Sequence, residues 1–195
     1  MSTEPITITP DFVWPKPDAD GNRTLANGAV IGPGATIERY AVIGPDVVIE
    51  RGAVIGPYTV IGPGVVIKRG AVIGQDAFIE QGAVIERGAV IRRNASIGQG
   101  AVIGPYASIE QCAVIGHDAR VGPNARWVAC VGYADGYYKD LCAVGDVAYI
   151  GAGCRWFTLG EALRHWENHP EDRRATMALM EGAKALAALN NLKWE

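Results

Sequence analysis

The stretch Gly82–Ile109, GAVIERGAVIRRNASIGQGAVIGPYASI, decides the fold. In it an isoleucine returns every six residues, and an alanine stands two residues before each one. Followed outward in both directions, the register runs from Leu25 to Arg126 as seventeen hexads without a gap. The first position is Leu25, then isoleucine in fifteen consecutive hexads from Ile31 to Ile115, then Val121. The fifth position is alanine in fourteen hexads, with Val47, Thr59 and Val65 as the exceptions. The fourth is Gly, Asp or Asn in thirteen, with Tyr40, Tyr58, Tyr106 and Cys112 departing.

Each preference has a physical cause. Alanine at position five and isoleucine at the next position one are two apart, so in a strand both side chains point to one side. The residue between them, mostly valine, points to the other. Gly, Asp and Asn tolerate the positive φ of a tight corner. Each hexad therefore reads as a short strand plus a corner. The three-and-four spacing of a buried helix face is absent, and so many glycines destabilise a helix. Strands this short need neighbours. If three hexads close one triangular coil, residues eighteen apart stack at the strand spacing of about 4.8 Å. Seventeen hexads then make roughly 5.7 coils, with isoleucine and alanine filling the prism.

This pattern resembles the hexapeptide-repeat superfamily of left-handed parallel β-helices, whose best-known members are trimeric acyltransferases. The resemblance covers residues 25–126, and the left hand is what it implies. It also implies a histidine general base on the coil surface, beside a subunit cleft that holds the acyl donor. One histidine, His117, lies in the coils, in VIGHDARVG, which is similar to the GH hexads of some family enzymes. Histidine as a residue type suits this work, because an imidazole can exchange a proton near neutral pH. On that reading the cofactor is acetyl-CoA or another acyl-CoA. Two features weigh against catalysis. The hexads run without the inserted loops that build the acceptor pocket in family enzymes. The family's zinc carbonic anhydrases need three coil histidines, so no metal site is expected.

Fixing the inside of the prism fixes its outside. The first face carries Val30, Val48, Val66, Val84, Val102 and Arg120, and the second Thr36, Val54, Val72, Val90, Ser108 and Arg126. The third carries Val42, Val60, Phe78, Ser96 and Val114, with Glu80 as its one charge. Exposed apolar stripes mark interfaces, and a homotrimer through the third face is the expectation. Charges also recur at eighteen. Glu50, Lys68 and Glu86 form one ladder, and Arg92 and Glu110 a pair. Arg51, Arg69 and Arg87 stack at one corner, where Glu50 and Glu86 can neutralise them or an anionic ligand can join them. Tyr40 and Tyr58 stack at another corner.

The ends differ from the repeat. Residues 1–24 form an arm or cap, because an open solenoid end exposes core and backbone. In DADGN the two acids from Asp18 have calcium-loop spacing, but Arg23 stands where such a loop needs glycine, so a turn is expected. Residues 127–195 read as a βββαα module. RWVACVGY, YYKDLCAVG and VAYIGAGCRW are its strands. Thr158 and Glu161 form a capping box opening a helix to about Asn168, and Pro170 starts a second helix. In the latter Ala175, Leu179, Ala183, Leu186 and Asn190 recur at helical spacing, with Met180 and Ala187 widening the stripe. Trp127, Trp156 and Trp166 belong to the module's core, and its GCRWFTLGEALRHW resembles phage-encoded C-terminal modules.

The net charge is only −3, which gives no call for nucleic acid or an anionic membrane as partner. The first residues lack the blocks of a signal peptide, so a cytoplasmic protein is expected. Cys112, Cys130, Cys142 and Cys154 contain no C-x-x-C pair, and they read as reduced, the last three as buried apolar side chains. Taken alone, the sequence favours a non-catalytic homotrimer that binds a small anionic, nucleotide-like ligand or a host protein. An acyl-CoA-dependent acyltransferase with His117 as base is the alternative, and a purely structural spacer a second one.

Overall fold

The computed structural model describes residues 3–134, 137–152, 155–167 and 173–194. Cys154, Asn168 and Pro170 fall outside these residues. So do the side chains of Trp127, Cys130, Trp156 and Ala175, and the expectations placed on them.

The hexads fold as expected. After β1 (Ile6–Thr7) and β2 (Arg23–Thr24), sixteen two-residue strands follow, from β3 (Val30–Ile31) to β18 (Arg120–Val121), one every six residues. Every parallel pairing between coil strands joins residues eighteen apart, as in Val30 with Val48 and Phe78 with Ser96. Three hexads therefore close one coil, and the coils stack into three sheets, one per face. Each inward isoleucine from Ile43 to Ile115 is at most 1% exposed. Burying one such side chain contributes about 2 kcal/mol. The exceptions at position five also point inward. Val47 and Val65 are buried outright, while the buried Thr59 hydroxyl donates to the carbonyl of Gly56 at 2.8 Å. Among the described residues no buried side-chain polar atom lacks a hydrogen-bond partner.

Coil-to-coil hydrogen bonds run both ways: Val30 N donates to Val47 O of the next coil at 2.8 Å, and Gly52 N to Pro33 O of the coil before at 3.2 Å. The first coil's open edge therefore presents both donors and acceptors, and the arm meets both, with Tyr40 N donating to Ile8 O at 2.6 Å. β1 pairs antiparallel with β5 (Val42–Ile43), and β2 with β3. Ile8 N donates to Ala41 O, and the buried Asn27 side chain to Ile43 O. Phe12 and Trp14 meet edge to face at 4.9 Å and pack on the prism core. The Asp18 carboxylate accepts from the backbone N–H of Asp20 and of Asn22, both at 2.9 Å, which is the expected turn.

At the other end β19 (Arg126–Ala134) pairs with β16 (Ser108–Ile109) through Arg126 and carries the second face's sheet outward. β20 (Tyr137–Val144), β21 (Val147–Ala152) and β22 (Arg155–Thr158) follow antiparallel. The segment read as one third strand is thus two strands, with Tyr149 opposite Thr158. One side of β20 covers the end of the prism, where Cys142 is fully buried in the core. The other side, where Leu141 lies beside Ile150 of β21, meets α1 (Leu159–Glu167) and α2 (Arg173–Leu189). The capping box is formed: Thr158 N donates to Glu161 Oε2 at 2.8 Å, and Glu161 N to Thr158 Oγ1 at 3.1 Å. The Thr158 N–H holds the Glu161 carboxyl below its ordinary range. α2 buries Thr176, Met180, Ala183 and Ala187, while Leu179 and Leu186 are partly covered and Asn190 is exposed. The buried stripe is therefore rotated from the expected one, onto the residues read as its margin. Among the described residues no helix is long and apolar enough to cross a membrane.

Thiol labelling reports on this closure. Burial pushes the Cys142 thiol well up, whereas Cys112 is exposed on a corner. Alkylation requires the thiolate and access to it. Iodoacetamide should modify the Cys112 peptide in the native protein, and the Cys142 peptide only after denaturation, as read by peptide mass mapping. Rapid native labelling of Cys142 would show that the prism end is open.

Candidate functional site

His117 sits at the corner where the chain leaves the third face at β17 (Val114–Ile115) and enters the first at β18. Its side chain is about half exposed, and its Nδ1 lies 3.2 Å from Asp118 Oδ2. Adjacent corner residues meet in this way only under special conditions, and the backbone supplies them. Asp118 adopts φ 53°, and its N–H donates to Gln99 O of the preceding coil at 2.8 Å. The carboxylate then lies over Gly100, where a Cβ would stand 2.5 Å from Asp118 Oδ1. Gly98 likewise leaves room for the turn, since a Cβ there would come within 2.6 Å of His117 N. In the neutral imidazole, the Asp118 carboxylate accepts from Nδ1–H and fixes the tautomer. Nε2 is then the acceptor nitrogen of the ring. Among the positions sequence reasoning left unconnected, Gly100 is the one that matters, because it carries no side chain where the Asp118 carboxylate lies. Its signal was available: it stands eighteen residues before Asp118.

The C-terminal module packs beside this corner. β18 begins three residues after His117 and lies against β21 and β22. His165 is in α1, stacked on Phe157 at 5.4 Å. Among the described residues no group of three His, Cys, Asp or Glu side chains is arranged to hold a metal ion.

Arg51, Arg69 and Arg87 stand one coil apart at the corner between the first and second faces, all exposed. The acids beside them are engaged elsewhere. Glu86 pairs with Lys68 at 2.9 Å, and its hydrogen bond raises the Lys68 pKa. Glu50 accepts from the backbone N–H of Arg69 at 2.9 Å. Arg92 pairs with Glu110 at 3.1 Å on the second face, as the eighteen-residue spacing implied. Tyr40 and Tyr58 stack on each other at 5.1 Å and 18°.

The third face carries the most exposed apolar strand residues, Phe78 at 45% and Val114 at 46%. The other outward residues of that face, Val42, Val60 and Ser96, are half-buried. The other two faces expose only Val48 and Val72 to a comparable but smaller degree.

Comparison with known proteins follows this geometry. The GMPPB C-terminal domain family matches residues 48–131. No curated protein sequence matches the chain significantly. Among solved structures it is similar to the acetyltransferase domain of PglB from Neisseria gonorrhoeae in complex with acetyl coenzyme A. That similarity is 28% identity and a TM-score of 0.48, over 49% of this chain and 46% of that one. Perosamine N-acetyltransferase from Caulobacter crescentus, in complex with CoA and GDP-perosamine, shares 25% identity at a TM-score of 0.48. The match covers 49% of this chain and 45% of that one. UDP-N-acetylglucosamine acyltransferase from Campylobacter jejuni shares 19% identity at a TM-score of 0.32, over 86% and 81% of the two chains. The chain thus spans less than half the length of the first two. Its unbroken hexads and the three-sided coil they close give the chain the fold of the hexapeptide-repeat β-helix superfamily.

Proposed function

We propose that the chain is an acyl-CoA-dependent acyltransferase, with His117 as general base and Asp118 as the residue that positions it. The observation that carries this reading is the His117–Asp118 contact at 3.2 Å. It is a base with an orienting carboxylate, which a merely solvated corner histidine does not need. This reading replaces the non-catalytic one that the sequence alone favours. His117 removes a proton from an acceptor amine or hydroxyl as that atom attacks the thioester carbonyl. The new bond to carbon forms, the carbon–sulfur bond breaks, and the CoA thiolate leaves and takes up the proton from the imidazolium.

An acceptor pocket still has to be built, and no loop is inserted between the coils from Val30 to Val121. The third face supplies a way. It ends two residues before His117, so a second copy seated on Val42, Val60, Phe78, Ser96 and Val114 would place its surface beside the imidazole. The active form is accordingly a homotrimer with its sites between copies.

Arginine at Phe78 puts a charge in the middle of that contact. Phe78→Arg should lower the mass seen by light scattering from three chains to one, and thiol release from acetyl-CoA with an amine acceptor should fall with it. A trimer that persists in this variant moves the interface to another face. A monomer that retains full turnover shows that the site needs no second copy.

A further inference from the structure

The corner between the first and second faces holds a second arrangement of chemical consequence, separated from His117 by the whole width of the first face. Arg51, Arg69 and Arg87 form a column there, and among the described residues none of them has an ion-pair partner. With Lys68 the corner carries four positive side chains against the two carboxylates of Glu50 and Glu86. That leaves a surplus of two positive charges on an edge of a protein whose net charge is −3. Like charges stacked at about 4.8 Å repel one another. An unpaired column therefore favours an anion that touches more than one guanidinium.

Two features narrow the anion. Beside the arginines runs a shelf without side chains: a Cβ at Gly34, Gly52 or Gly70 would meet nothing within 4 Å. The shelf is closed at one end by Tyr106, whose ring lies over Gly88, 2.7 Å from where a Cβ there would be. Tyr106 is 53% exposed as a residue, and the Arg87 guanidinium lies 5.9 Å from its ring centroid. The corner thus offers, in line, three forked donors suited to phosphate oxygens and one exposed aromatic face.

We propose that this corner binds a nucleoside polyphosphate. The phosphates lie along Arg51, Arg69 and Arg87 over the glycine shelf, and the base stacks on Tyr106. The site is independent of acyl transfer at His117.

Calorimetric titration with ATP, and separately with inorganic tripolyphosphate, tests this on the full chain. ATP should bind more tightly than tripolyphosphate, and its affinity should fall as salt is raised. The combined Arg51→Gln, Arg69→Gln and Arg87→Gln variant keeps the polar corner, and should weaken ATP by more than about tenfold. Tyr106→Leu should weaken ATP and leave tripolyphosphate unchanged. His117→Ala should bind ATP as the parent does. Circular dichroism and light scattering on each variant confirm that fold and assembly are intact. Equal affinity for the two ligands, or an arginine variant that binds ATP undiminished, would overturn the assignment. So would an arginine variant that loses acetyl-CoA turnover in step with ATP binding, because the corner would then belong to the donor site. Failure of ATP to bind leaves the acyltransferase reading untouched.

Discussion

Ile73→Asp should leave no folded protein. Ile73 is 1% exposed, in the middle of the isoleucine column, with Ile55 and Ile91 directly beside it in the coils before and after. Aspartate there removes about 2 kcal/mol of apolar burial. It also places a carboxylate among alanine and isoleucine side chains, at a cost of several kcal/mol. Together these approach the whole stability of an ordinary domain. A stack of coils has no alternative packing for the site, because each coil rests only on its neighbours. The expected result is insoluble protein, or a soluble chain without the β-type circular dichroism of the parent. A folded, soluble Ile73→Asp protein would place Ile73 on the surface and shift the register of every hexad.

His117→Ala should lower acyl transfer about 10²- to 10⁴-fold, the usual range for loss of a general base. The side chain is half exposed, so its removal disturbs no core, and trimer mass and acetyl-CoA affinity should stay as in the parent. The loss should therefore fall in kcat rather than KM. Asp118 acts through His117, and a variant there should show a smaller loss. Turnover in His117→Ala equal to that of the parent would remove the imidazole from the chemistry.

The prism was legible because its pattern is enforced at every coil. An inward position admits a polar residue only where a partner is in reach, as Gly56 O is for Thr59, so the column from Ile31 to Ile115 states its own register. The corners were legible only in part. Tyr40, Tyr58, Tyr106 and Cys112 read as departures from the Gly, Asp or Asn rule, yet they adopt φ of 63°, 59°, 58° and 60°. Coil closure imposes that conformation on whatever residue stands there, at about 1 kcal/mol or more for each side chain. Strong closure by the flanking strands outweighs a local preference of that size. The stripe of α2 was misplaced by less than a quarter turn. Alanine, leucine and methionine fit either margin, and the face is chosen by the strand sheet it meets. Met180 and Ala187 face the core that Leu141 and Ile150 build.

The site was legible as a residue but not as a pair. His117 stood out as the one histidine among the coils. Its contact with Asp118 depends on a left-handed corner and on open space over Gly100, one coil earlier. Neither is visible in the adjacent letters HD. The eighteen-residue ladder that predicts Lys68 beside Glu86 also sets Gly100 beneath Asp118, and it carries this information once the coil is known to close in three hexads.

The central claim is that His117 performs acyl transfer between copies of the chain. A crystal structure of the protein grown with acetyl-CoA tests it most directly. The account predicts a trimer joined through Phe78 and Val114. The thioester should lie in the cleft between two copies, with its carbonyl carbon close enough to His117 for an acceptor atom to fit between them. Acetyl-CoA bound away from His117, or His117 facing open solvent in an assembly built on another face, would contradict it.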